Sequence, residues 1–188
     1  MKTRLLALLL LVLILFSSAA LSDNFDDVFP PDSLQRRLAE KIVSDTGLKM
    51  IDYGTWHNHK ETARRIKFLF NGDIEVTLYY NGDWEFESLD VYLPRCFADD
   101  SAASSNYLNI VRSIISYFVP DNPLVDVPSR ILNRLENSLD VNDVYRNKQG
   151  QSSDEWLENG YRFQLSLSVV SSEVWTYFDV EPVLSENP

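Results

Sequence analysis

Several things are scarce in this chain of 188 residues, and each scarcity closes a class of explanation. There is a single cysteine, Cys96, so no internal disulfide framework exists and the fold must rest on core burial. There are two histidines, His57 and His59, which leaves little material for a metal centre or a histidine base. Of the six glycines, Gly47, Gly72, Gly82 and Gly160 occupy turn or helix-end contexts, and no phosphate-cradling glycine loop is present. There is no Gly-x-Ser-x-Gly elbow and no Ser-x-x-Lys start to a helix, so the serine-nucleophile motifs are missing too. No Asn-x-Ser/Thr acceptor for N-glycosylation occurs. Basic residues are also short, at 17 Lys and Arg against 28 Asp and Glu. Such a surplus disfavours nucleic acid and anionic lipid as partners.

The first 22 residues have the layout of a secretory signal peptide. Lys2 and Arg4 precede an apolar run from Leu5 to Phe16, followed by Ser17, Ser18, Ala19 and Ala20. A basic start, an apolar middle and a small-residue zone are the elements of such a leader. Cleavage after Ala20 or after Ser22 fits the small-residue rule. An uncleaved anchor is the competing reading, because the run extended to Leu21 approaches the length of a span. No cysteine near the cut offers a lipid attachment point. Removing residues 1–22 takes away two basic residues and no acidic one, leaving a net charge of −13. The expectation is a secreted or periplasmic protein with no membrane contact after cleavage.

The remaining chain reads as one domain. Residues 23–31 form an acidic lead-in ending in Pro30-Pro31. Residues 32–182 form a single α+β domain, and 183–188 a tail. Leu34, Leu38, Ile42 and Val43 recur at helical spacing between a cap at Asp32 or Ser33 and a stop at Gly47. Leu48–His57 reads as a strand. Two matching turns, Phe70-Asn71-Gly72 and Tyr80-Asn81-Gly82, then separate alternating strands. With three-residue loops and left-handed glycines, Phe68 is expected opposite Ile74, Ile66 opposite Val76, Val76 opposite Phe86 and Leu78 opposite Trp84. Ile66, Phe68, Ile74, Val76, Leu78, Trp84 and Phe86 would then form one apolar side. On the other side Lys67 would face Glu75 and Arg65 would face Thr77, with Glu87 and Glu85 beyond. The apolar phase flips at Leu89, Val91 and Leu93, which predicts a β-bulge near Ser88.

A buried helix is predicted from Ser104 or Ser105 to Phe118, and another opening at Pro128 with Ile131, Leu132, Leu135 and Leu139 inward. Val141–Glu158 reads mostly as loop. Tyr161, Phe163, Leu165, Leu167 and Val169 alternate strictly, Ser171-Ser172 turn the chain, and Val174–Val180 return. The expected architecture is an antiparallel sheet, a meander plus a C-terminal hairpin, with about three helices packed on one face.

The chemistry-bearing candidates are few. On a strand, His57 and His59 point the same way and make a metal pair conceivable, with Glu61 adding an oxygen. Against this, a solvated turn is the ordinary setting for His57-Asn58-His59-Lys60. Cys96 as a nucleophile lacks a motif and has only Arg95 beside it. Glu75, Glu85 and Glu87 on one sheet face, with Tyr79 also pointing there, form an acidic patch suited to a basic partner or a cation. The plainer reading is the wet side of a half-buried sheet. Tyr79, Tyr80, Trp84, Tyr92, Trp175 and Tyr177 form an aromatic group whose members either pack in the core or at an edge, or are displayed among acidic residues as a protein- or glycan-binding surface. The leading expectation is a non-enzymatic binding or accessory domain that works by protein–protein contact and needs no cofactor. The alternative is a small secreted hydrolase or metal-dependent enzyme using His57 and His59.

Overall fold

The computed structural model describes residues 29–57, 64–99, 101–119 and 126–183. The leader assigned to residues 1–22, most of the lead-in and the tail from 184 lie outside them. The backbone divides into two units between Arg37 and Leu38, inside helix α1 (Leu34–Thr46).

The described part of the first unit is the helix entry. The carbonyl of Ser33 accepts the first helical bond from Arg37 N at 3.1 Å. The Ser33 hydroxyl turns back to Pro30 O at 2.7 Å. Ser33 rather than Asp32 therefore stands at the helix start.

In the second unit α1 ends where Gly47 adopts φ 67° and its N–H reaches Val43 O at 2.9 Å, a left-handed stop that suits glycine. Leu38, Ala39 and Ile42 are buried there, whereas Val43, expected inward, is exposed.

Among the described residues, eight antiparallel strands follow: β1 (Met50–His57), β2 (Arg64–Phe70), β3 (Ile74–Tyr80), β4 (Phe86–Leu93), β5 (Gln151–Ser152), β6 (Trp156–Glu158), β7 (Tyr161–Val170) and β8 (Glu173–Pro182). The sheet order is β1-β2-β3-β4-β8-β7-β5, with β6 also pairing β7. The meander and the hairpin are thus one α+β sheet, joined where β4 meets β8. Among the described residues three further helices lie between them in sequence: α2 (Ala102–Phe118), α3 (Val127–Asn137) and α4 (Val141–Asn147). Helix α2 contacts β4, and α3 and α4 contact β7.

The core side of the sheet follows the alternation. Ile66, Phe68 and Phe70 on β2, Ile74, Val76 and Leu78 on β3, Leu89, Val91 and Leu93 on β4, and Phe163, Leu165, Phe178 and Val180 on the hairpin are all buried. Each such side chain contributes roughly 1.5–3 kcal/mol when taken out of water. Tyr107, Ile110, Val111, Ile114 and Ile115 of α2 are buried as well. Ser101 caps this helix by accepting the Ser104 N–H at 3.1 Å. Asp126 caps α3 through Ser129 N at 3.0 Å.

The register differs from the sequence expectation. Phe68 pairs with Val76, Ile66 with Leu78, and Phe70 with Ile74. The first turn is therefore Asn71-Gly72-Asp73, and each partner lies two positions beyond the expected one. A two-residue slide keeps every side chain on its expected face, which is why the apolar side survives on β2 and β3. The second turn is longer, spanning 81–85. Val76 pairs with Val91 and Leu78 with Leu89, not with Phe86 and Trp84. Asn81 organises this turn, its Oδ1 accepting the Asp83 and Glu85 N–H groups at 2.9 Å each. The left-handed position falls on Trp84 (φ 64°), not on Gly82. Trp84 is consequently 47% exposed, and Phe86 is half-buried. The register shift opposite Tyr79 and Tyr80 leaves Glu87 as the extra residue, so the bulge predicted near Ser88 is present.

The stretch expected to be mostly loop holds α4, β5 and β6. Asp140 caps α4 through Asp143 N at 3.0 Å, and left-handed Lys148 ends it. Only Val144 of α4 is buried, which is why no apolar periodicity announces it.

Candidate functional site

The side of the sheet away from the core carries a different set of residues, fixed by the same registers. One cross-strand row runs Lys67, Thr77, Asp90, Asp179, Gln164 from β2 to β7. The next runs Leu69, Glu75, Tyr92, Tyr177, Ser166. Arg65, Tyr79 and Ser88 form a third row on β2, β3 and β4.

At the centre, Asp90 and Asp179 stand directly opposite one another, both half-buried. Their carboxyl groups are hydrogen-bonded to each other, and Asp90 also accepts from the Tyr79 hydroxyl. Burial raises the Asp179 pKa to about 7, helped by the charge and hydrogen bond of Asp90 and by Glu181, while Arg162 opposes the shift. Burial also raises Asp90, against the hydrogen bonds from Tyr79 and Asp179. Each of the two carboxyls therefore holds its proton more firmly than an ordinary carboxylate does. Burial, and then the Asp90 charge, push the Tyr79 phenol far above its ordinary range. Tyr79 therefore acts as a hydrogen-bond donor throughout the physiological range.

Beside the carboxyls lies an aromatic cluster. The Tyr92 ring is 5.3 Å from Trp175 in an edge arrangement and 5.4 Å from Tyr177. Burial raises both tyrosines above their ordinary range. The Trp175 indole N–H is buried and has no acceptor among the described residues. An unmet buried donor is costly. The basic groups at the margins are already engaged. Lys67 Nζ meets Glu75 Oε1 at 2.6 Å, the Arg65 guanidinium lies 5.3 Å from the Tyr79 ring centre, and Arg162 pairs with Glu155 at 2.7 Å and with Glu181.

The residues singled out from sequence are distributed as follows. Glu75 and Tyr79 are on this face. Glu85 is in the turn, held by Asn81 Nδ2 at 2.7 Å, and Glu87 is the exposed bulge residue. His57 ends β1, but its side chain, like His59 and Glu61, lies outside the described residues. Among those that are described, no group of three His, Cys, Asp or Glu side chains is placed to hold a metal. Cys96 is buried, and burial, then the Asp99 charge, raise its thiol pKa against a backbone hydrogen bond. No helix among the described residues is long and apolar enough to cross a membrane.

Asp90 and Asp179 are the pair that sequence reasoning missed. Each belongs to a visible alternation, Ser88-Asp90-Tyr92 and Trp175-Tyr177-Asp179. Only the β4–β8 pairing brings them together, and no turn or charge pattern specifies that contact.

No protein-family model matches the chain, and no significantly similar curated protein or solved structure was found.

Proposed function

We propose that this chain is an exported, non-enzymatic binding domain that holds a basic, extended segment of another protein on the side of its sheet away from the core. The observation that carries the reading is the placement of Tyr92, Trp175 and Tyr177 beside Glu75, Asp90 and Asp179 in adjacent rows of one surface. Rings beside carboxylates suit arginine and lysine side chains, which gain from an aromatic face and a negative charge together. Arg65 over Tyr79, next to Asp90, is this arrangement made within the chain itself. The acidic surplus speeds encounter with a basic partner. Export rests on the leader-like first 22 residues.

The test uses the full chain with an arginine-rich peptide and a glutamate-rich peptide of equal length. The basic peptide binds and the acidic one does not. Affinity falls as salt is added. Trp175→Ala weakens binding by about 2 kcal/mol, the scale of a central interface residue. Failure of the basic peptide to bind, or equal binding by Trp175→Ala, overturns the reading. Stoichiometric zinc in the purified protein, lost on changing His57 and His59 to Ala, would instead favour the metal-dependent alternative.

A further inference from the structure

Asp90 and Asp179 occupy directly opposed positions on β4 and β8, on one face of the sheet. Like charges so placed repel, and a single proton held between them turns that repulsion into a hydrogen bond. Every neighbouring strand contributes to the setting. From β2 come Arg65 and Lys67, from β3 Glu75 and Tyr79, from β4 Tyr92, from β8 Tyr177 and Glu181, and from β7 Arg162 with the neutral Gln164. The cations are committed elsewhere: Lys67 to Glu75, Arg65 to the Tyr79 ring, Arg162 to Glu155 and Glu181. No ion pair within 4.0 Å joins any described cation to either aspartate.

We propose that Asp90 and Asp179 share one proton and that a cationic side chain of the bound partner displaces it, so that mild acid releases the partner. This rests on the docking face proposed above. The proton leaves the carboxyl pair for solvent as the arginine or lysine arrives already charged, so no bond is made or broken in the partner.

The sign of each pH effect follows from the raised carboxyl pKa, about 7 at Asp179. Between the ordinary carboxylate range and neutrality the folded chain retains a proton that the unfolded chain releases. The pair therefore contributes most stability at the acid end of that range, and the contribution disappears as pH rises through the folded pKa. Cation binding requires the second negative charge, so it strengthens over the same interval. One pair thus drives stability and affinity in opposite directions.

The experiment compares the full chain with Asp179→Asn. Carboxyl carbon resonances of labelled aspartate are titrated by NMR, melting is followed at about pH 5.5 and about pH 8, and a hexa-arginine peptide is titrated in calorimetry at both. The pair titrates near neutrality, and the native chain loses melting temperature between the two conditions relative to Asp179→Asn. The peptide binds on the order of tenfold tighter at the higher pH, its binding at the lower pH releases a proton, and Asp179→Asn flattens both dependences. Ordinary titration of both aspartates overturns the shared proton, whatever the peptide does. A raised titration with pH-independent peptide affinity overturns the exchange and leaves the docking face standing. A raised titration with no peptide binding at either pH removes the docking face, and the exchange with it.

Discussion

Lys67 Nζ lies 2.6 Å from Glu75 Oε1, although Lys67 is registered opposite Thr77 and Glu75 opposite Leu69. The ion pair is diagonal across β2 and β3, and the Thr77 hydroxyl donates to the same Glu75 oxygen at 3.0 Å. Both side chains are about a third exposed, so solvent screens the attraction. Lys67→Ala and Glu75→Gln should each lower stability by no more than about 1 kcal/mol. Their coupling, measured by urea unfolding of the double mutant, should shrink as salt is added.

Thr176 presents a different case. Its hydroxyl is fully buried, accepts the Phe97 N–H at 2.9 Å and donates to Arg95 O at 2.8 Å. One side chain on β8 thus fixes the loop that leaves β4. Thr176→Val keeps the shape but strands the Phe97 donor. A loss of about 1–3 kcal/mol is expected in chemical denaturation, at or above the ceiling set for Lys67.

The hairpin turn is built from serines where glycine or asparagine is the usual choice. Ser171 and Ser172 both have positive φ, 49° and 75°, and Val170 pairs with Glu173 around them. Replacing the two serines by Asn-Gly should raise stability by roughly 0.5–1 kcal/mol, because those residues accept the left-handed turn with less strain. Thermal melting of the variant checks this.

Cys96 is 1% exposed, and its thiol pKa lies above the ordinary value. Under native conditions at neutral pH an alkylating reagent should label it only as fast as the chain opens. Labelling that tracks the denaturant dependence of unfolding meets this expectation. Rapid stoichiometric labelling of the folded protein contradicts it.

How much of this was legible in the sequence differs by element. Alternation placed Ile66, Phe68, Ile74, Val76 and Leu78 on one side, because period two is a property of the strand alone. The partner of each residue was less accessible. Asn71-Gly72 and Asn81-Gly82 look alike, yet Asn81 folds a five-residue turn by accepting two backbone N–H groups, and this moves Trp84 out of the core. Helix α4 escaped notice because a short helix with one buried residue leaves no period to read. The union of β4 with β8 is a long-range choice made by packing, and the Asp90–Asp179 pair depends wholly on it. The acidic surface was visible as composition, and Glu75 and Tyr79 were placed on it. Its centre was not.

The insertion of β8 between β4 and β7 also bears on how the molecule comes into being. Val91 pairs with Phe178, so the middle of the sheet joins segments made early and late in synthesis. Such distant pairing slows folding, since a large loop must close before the contact repays it. Until the last hairpin emerges, β4 offers a naked edge, and a nascent chain paused before that point is vulnerable to sticking to its neighbours.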